Sequence, residues 1–296
     1  MPIITEFEYV KPKTLAEGLK ILSKNREKAK ILSGGTDLVV KLKDETEKPD
    51  IVVDIKGIPG LDRIEFKNNI LSIGALATFT DLLESKIVKT RFPLLWETAN
   101  TVASVGVRNR ATIAGNLCSA VPSADSAPAL LVYEAVVCAR NLKAVRKIPV
   151  NKWFAGPKKT VLRADEIVIS VEIPLPQKRH AGCYVKMSRY EGEDLAQGGI
   201  AVLAFMDNKY KIAACALGPK PERCVKTEAF LNGKEIYDAA IDEAKNLIVK
   251  EISPITDIRS SKEYRIHMTQ VMLERGLKTA VARLSGKGPR YGEHLI

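Results

Sequence analysis

From residue 6 to residue 60, strand-length apolar runs alternate with helix-length stretches, and this alternation commits the first part of the chain to an α/β architecture. A strand is expected around Phe7 to Val10. Thr14, with Glu17 three residues on, forms the pattern of a capping box and opens a helix carrying Leu15, Leu19 and Leu22. A short strand KAKIL ends at Ser33-Gly34-Gly35-Thr36-Asp37. The next stretch, LVVKLK, reads as a short helix and IVVDI (51 to 55) as a further buried strand.

Beyond this unit, RIEFKNNILSIGA reads as a hairpin turning at Asn68-Asn69, followed by two helices at about 79 to 86 and 91 to 104. Residues 112 to 125, TIAGNLCSAVPSAD, carry little charge and many small residues, which predicts a loop whose backbone lies close against a ligand. A helix at 126 to 133 and strands near 135 to 140, 145 to 150 and 166 to 173 follow. Pro174, Pro176 and the basic QKRH mark a domain boundary. After it, GCYVKMSR, GIAVLAFMD and KYKIAACAL predict three antiparallel strands, the last two joined at Asp207-Asn208. Helices are expected near 222 to 232, 238 to 250 and 260 to 284, and SGKGPRYGEHLI reads as a tail.

Composition removes several functions. The 296 residues suit two or more domains, with 46% hydrophobic and 27% charged residues as in an ordinary globular protein. No apolar run approaches the roughly 18 residues of a membrane span. The first residues, MPIITEFEYVKPKT, lack the pattern of a secretory signal, so a cytoplasmic location is expected. The five cysteines, at 118, 138, 183, 215 and 224, form no C-x-x-C pair and read as buried thiols rather than metal ligands. His180, His267 and His294 are too scattered for a metal cage or a catalytic triad. No catalytic side chain and no metal site are therefore expected. The net charge of +11 comes from lysines and arginines spread along the chain, with 6% aromatics and no stacking platform, so nucleic-acid binding is not expected.

Two small-residue segments remain as candidate sites. Gly34-Gly35-Thr36, between a strand and a helix, can present backbone N–H groups to a phosphate, although a strand-GG-helix turn also occurs as a plain tight turn. In the second segment Gly115 and Asn116 offer further donors, Ser119 and Ser123 hydroxyls, and Asp125 a carboxylate for a ribose hydroxyl. The alternative for Asp125 is a helix cap. A dinucleotide, with its doubly charged pyrophosphate and extended shape, explains the two segments together.

These residues resemble a known family. ILSGGTDLVVKLK (31 to 43) and SVGVRNRATIAGNLCSAVPSADSAPALL (104 to 131) are similar to the two FAD-binding signatures of the flavoprotein subunits of molybdenum hydroxylases, which include xanthine dehydrogenases and aerobic carbon monoxide dehydrogenases. TVLRADEIVISVEIP, KMSRYEGEDLAQGGIAV, LGPKPERCVKTEAFLNG and DIRSSKEYRIHMTQVMLERGL resemble later blocks of the same subunit, in the same order. The resemblance implies an α+β, p-cresol-methylhydroxylase-like FAD fold. It has two α/β subdomains, about 1–57 and 58–176, then a C-terminal domain at 177–296 with a three-stranded antiparallel sheet and helices. It implies FAD diphosphate on Ser33, Gly34, Gly35, Thr36, Asp37 and Leu38 and on Gly115-Asn116, with Thr112, Ser119 and Asp125 assisting phosphate and ribose contacts. Val107, Ala111 and Ala124 join the cofactor-binding set. Leu162 is implied to pack near the isoalloxazine and Lys186 to hold its ammonium near the ring, where a cation stabilises the anionic reduced flavin. The alternative for Lys186 is an exposed strand lysine.

The chain departs from the family at Ala111 and Ala114, where glycine is usual, and at Tyr190, where arginine is common. Any requirement for positive φ at the two alanines is thereby relaxed. By resemblance, the subunit passes electrons from a small [2Fe–2S] partner, alongside a large molybdopterin subunit, to an external acceptor, within a dimer of heterotrimers. Two rivals stand beside it. One is a stand-alone FAD enzyme of the same superfamily, for which no convergent acid–base groups are visible in residues 180 to 296; the other is a basic binding module without flavin.

Overall fold

Ile51–Asp54 is buried along its whole length, so this strand has to be covered on both faces and flanked on both edges. The computed structural model describes residues 2–190, 194–293 and 295. Residues 191–193, within one of the family-like blocks, and His294, in the tail, lie outside the described residues. The first unit runs β1 (Glu8–Val10), α1 (Leu15–Asn25), β2 (Ala29–Leu32), α2 (Leu38–Lys43) and β3 (Ile51–Asp54). Strand β3 takes β1 on one edge and β2 on the other, both parallel, with the helices as connections. Thr14 caps α1 by accepting from Glu17 N at 3.2 Å. The expected capping box is displaced by one residue, because the Glu17 carboxylate accepts from Lys13 N at 2.8 Å rather than from Thr14. Leu19 and Leu22 then pack with Ile51 and Val53.

Next come β4 (Ile64–Lys67) and β5 (Ile70–Gly74), joined through Asn68 and Asn69 at φ of 52° and 59°. Left-handed backbone at both positions is what a type I′ hairpin needs. Six helices follow: α3 (Phe79–Glu84), α4 (Lys86–Arg91), α5 (Pro93–Asn100), α6 (Val105–Arg108), α7 (Ile113–Ser119) and α8 (Ser126–Val132). The expected pair at 79 to 86 and 91 to 104 is thus corrected. Ser85 accepts from Val88 N and opens α4, and Pro93, which has no N–H to lose, takes the first position of α5. The loop expected over 112 to 125 is also corrected, because Thr112 caps a helix that buries Ile113, Ala114 and Leu117 before Ala120 ends it at φ 48°. Small residues disguised that helix.

Strands β6 (Val136–Arg140), β7 (Val145–Pro149) and β10 (Ile167–Pro174) join the hairpin in a five-stranded antiparallel sheet of order β4-β5-β10-β6-β7. Between them β8 (Phe154–Gly156) and β9 (Lys159–Thr160) form a short pair the sequence reading did not foresee. The last sheet is β11 (His180–Met187), β12 (Gly198–Phe205), β13 (Tyr210–Cys215) and β14 (Glu222–Arg223), all antiparallel. Its fourth strand corrects the expected three. Glu222 and Arg223 pair with β13, which delays the helix expected at 222 to 232 to α9 (Val225–Leu231). Helices α10 (Asp238–Ile248) and α11 (Lys262–Leu284) complete the chain.

This sheet is buried on both faces. Val185, Ile200, Val202 and Ile212 pack with α9, α10 and α11, while Tyr184, Ala201, Leu203 and Ala213 belong to the cluster that contains α5 and α8. Alternate side chains therefore serve two cores, and each fully buried Val or Leu contributes about 1.5 to 3 kcal/mol over its exposed state. Helix α11 reaches its close packing through Gly276, where a Cβ would sit 2.9 Å from Val202.

Candidate functional site

The first glycine segment leaves β2 and turns into α2 with Gly35 at φ +84°, a conformation that L side chains rarely adopt. Gly34 is pressed against the second segment: a Cβ there would lie 1.9 Å from the Arg110 carbonyl oxygen and 3.1 Å from Ala111 Cα. Side chains close the same seam. Ser33 Oγ donates to Ala75 O at 3.3 Å and lies 3.2 Å from Thr112 Oγ1, and the Ser119 hydroxyl donates to the Asp37 carboxylate. Segments 79 residues apart thus form one surface.

The N–H groups of Thr36, Asp37 and Leu38 have no protein acceptor among the described residues. On the second segment the expectation needs revising. Gly115 N donates to Thr112 Oγ1 at 2.9 Å and Asn116 N to Thr112 O at 2.9 Å, so neither amide is left for a ligand. Ile113 N belongs to the bridge that pairs Thr112 with Thr78, so the donors left there are the amide of Ala114 and the side-chain N–H of Asn116, whose carbonyl accepts from Ser126 Oγ at 2.6 Å. N–H groups converging from two segments are the kind of donor set that a diphosphate takes. Neither Ala111 nor Ala114 has positive φ, which is why alanine is tolerated at both.

Lys56, which the sequence reading passed over, stands beside the first segment. Its ammonium donates to Ser33 O at 3.2 Å and pairs with Asp54 at 2.8 Å. Asp54 is buried at the end of β3 and also accepts from the Tyr9 hydroxyl. Burial pushes its carboxyl up, but the Lys56 and Tyr9 hydrogen bonds outweigh this and hold it below the usual range. The only local signal was a charged residue closing an apolar strand.

Asp125 and Lys186 form a buried pair next to Ser126, which bonds Asn116. Lys186 Nζ donates to Asp125 Oδ2 at 3.0 Å and to Thr101 O at 2.9 Å, and both side chains are only 9% exposed. The exposed-lysine alternative is therefore excluded, and so is the helix cap, because Asp125 makes no side-chain cap bond. Asp125 Oδ1 accepts from Tyr184 Oη at 2.8 Å. Burial raises the Asp125 carboxyl above its ordinary value, against the opposing pull of Lys186 and Tyr184. Of the other residues singled out in the sequence, Ala124 is buried, Val107 N reaches Ser104 Oγ at 3.4 Å, Leu162 packs half-buried against the main core, and Tyr190 is exposed.

Two family models match this chain: the FAD binding domain in molybdopterin dehydrogenase over residues 5–176, and the CO dehydrogenase flavoprotein C-terminal domain over residues 183–280. This chain is an FAD-binding subunit of the molybdenum hydroxylase family. It is 31% identical over 285 residues to the putative xanthine dehydrogenase FAD-binding subunit XdhB of Escherichia coli (strain K12), covering 94% of this chain and 97% of that one. Against the carbon monoxide dehydrogenase medium chain of Hydrogenophaga pseudoflava it is 29% identical over 280 residues, covering 94% and 98%. The fold superimposes on a structure of carbon monoxide dehydrogenase from the same organism with a TM-score of 0.91 at 30% identity, covering 96% and 99%. FAD is the cofactor of this family, which removes the flavin-free binding module. The flavoprotein subunit has no helix, among its described residues, long and apolar enough to cross a membrane.

Proposed function

We propose that this subunit holds one FAD along the seam just described and relays electrons from the [2Fe–2S] clusters of a small partner to an external acceptor, beside a large molybdopterin subunit. The observation that carries the reading is the closure of the two amide-bearing segments on each other, continued to a buried ion pair. Thr36, Asp37, Leu38, Ala114 and Asn116 supply N–H donors for the diphosphate, Ser33, Gly34, Gly35 and Thr112 hold the segments together, and Ser119 fixes Asp37. Asp125 and Lys186 are in contact and so serve the same part of the ligand. If Lys186 faces the ring, Asp125 belongs at the ribityl end rather than at the adenosine ribose. When bound, the flavin supplies a centre that accepts and releases electrons singly or in pairs.

The proposed division of the chain is residues 1–176, with subdomains near 1–57 and 58–176, for the cofactor and 177–296 for the C-terminal domain. Relatives carry names such as dehydrogenase medium chain and dehydrogenase complex subunit, which favours a multi-subunit assembly, proposed here as a cytoplasmic dimer of heterotrimers. The test is co-expression with candidate iron–sulfur and molybdopterin subunits, followed by chemical reduction of the clusters. Flavin absorbance should bleach in the complex, while the FAD-loaded chain alone should oxidise no carbonyl, purine or heteroaromatic compound. A stable complex whose flavin stays oxidised when its clusters are reduced would end the relay reading.

A further inference from the structure

Tyr184 stands two residues before Lys186 on β11, so the two side chains leave the strand on the same face. The residue is held at both ends. Its backbone N–H donates to Glu97 Oε2 at 2.9 Å, and its hydroxyl donates to Asp125 Oδ1 at 2.8 Å, opposite the Lys186 ammonium on Oδ2. Glu97 is itself fixed by Arg283 at 2.8 Å, with both side chains 3% exposed. Room for the phenol comes from the facing strand: at Gly199 a Cβ would lie 2.4 Å from Tyr184 Oη and 2.8 Å from Cys215 Sγ. Packing alone does not call for a hydroxyl here. A phenylalanine would fill nearly the same volume, and a buried hydroxyl is costly unless it is bonded.

We propose that Tyr184 is a positioning residue for the flavin end of the site: its hydroxyl keeps Asp125 ionised against Lys186 and so sets the net charge that this end presents. The inference rests on the reading that Lys186 faces the flavin ring. A carboxylate removed from water needs more than one donor to remain charged, and Asp125 has two from β11. Among the described residues, the charged and titratable groups facing Tyr184 come from four elements. Asp125 comes from the start of α8 and Lys186 from β11; Cys215, on β13 at 3.4 Å, has its thiol pushed up to about 12 by burial and stays neutral. Glu97, from α5, meets only the backbone N–H and is balanced by Arg283 from α11. If the hydroxyl is removed, the burial that already raises Asp125 is opposed by Lys186 alone. Asp125 then takes a proton at higher pH, leaving the ammonium uncompensated. An uncompensated cation favours the more negative, reduced flavin.

The experiment measures the midpoint potential of bound FAD against pH by spectroelectrochemistry, for the full chain and for Tyr184→Phe, Lys186→Met and the double variant. In Tyr184→Phe the curve should rise above that of the parent on the acid side, with its break moved up by about one to two pH units. This is the shift expected for loss of one hydrogen bond to a charged group. In the Lys186→Met background the same substitution should move the potential little, since it acts through that cation. Superimposable curves for Tyr184→Phe and the parent, with Lys186→Met shifted, would overturn the proposal alone. A parent that binds no FAD, or a Lys186→Met potential equal to that of the parent, would instead overturn the reading beneath it.

Discussion

At Gly34 a neighbouring carbonyl occupies the space that any side chain would need, so a single methyl tests whether the two segments must touch. Gly34→Ala has to push Arg110 away, at about 1 to 3 kcal/mol or more. Little FAD absorbance should survive gel filtration, while far-UV circular dichroism should be retained. Gly115→Ala, whose Cβ would meet only Thr112 Oγ1 at 3.0 Å, should retain more flavin. Asp125 behaves differently from a simple ribose contact, because its carboxylate neutralises a buried ammonium. Asp125→Ala is expected to lower the stability of the protein itself by about 3 to 5 kcal/mol, as measured by urea denaturation in the absence of FAD. A loss under 1 kcal/mol would mean that Lys186 finds water instead.

Among the elements, α7 shows how capping can decide a segment that composition leaves open. Thr112 accepts from Gly115 N while its hydroxyl lies 3.2 Å from Ser33, so one side chain starts the helix and holds the first segment. A charge pair ties down the β7 edge of the five-stranded sheet. Arg146 meets Glu166 at 2.6 Å, and the carboxylate also accepts from Arg163 N at 2.9 Å. Burial pushes Glu166 up, but these bonds outweigh it and hold its carboxyl below the usual range for a glutamate. A depressed acid stabilises the fold above its unfolded pKa and loses that contribution as pH falls through the folded one. Arg146→Met should therefore cost about 3 kcal/mol near neutrality, the low end for a buried pair because Arg146 is partly exposed. The loss of stability on acidification below about pH 4.5 should be smaller in the variant than in the parent, as read from denaturation midpoints. Parallel pH profiles would show that the pair contributes nothing.

Across the whole molecule, α5, the last sheet, α11 and the tail meet at one ion pair. Arg283 binds Glu97 twice, reaches Gly182 O, Pro289 O and Arg290 O, and lies 4.0 Å over the Tyr291 ring. Arg283→Met leaves Glu97 buried without its cation and should cost about 3 to 5 kcal/mol. Amide exchange in residues 285–293 should rise more than in β5 or β10, because the tail loses its anchor. Uniform exchange throughout the chain would argue against a local clasp.

Local chemistry was enough to read most elements. The leucine spacing of α1, the two asparagines of the β4–β5 turn and Asn208 at φ 55° act within a few residues, and there the expectation and the fold agree. The two long signature segments likewise carried the family and its cofactor. Other features depend on residues that meet only after folding. Strand β10 enters between β5 and β6, β14 adds an edge to β13, Asp125 finds Lys186 61 positions away, and Glu97 finds Arg283 across 186. Nothing in their spacing announces these pairs. Burial is what selects them, since a charge taken out of water must find its partner wherever the packed sheets bring one within reach.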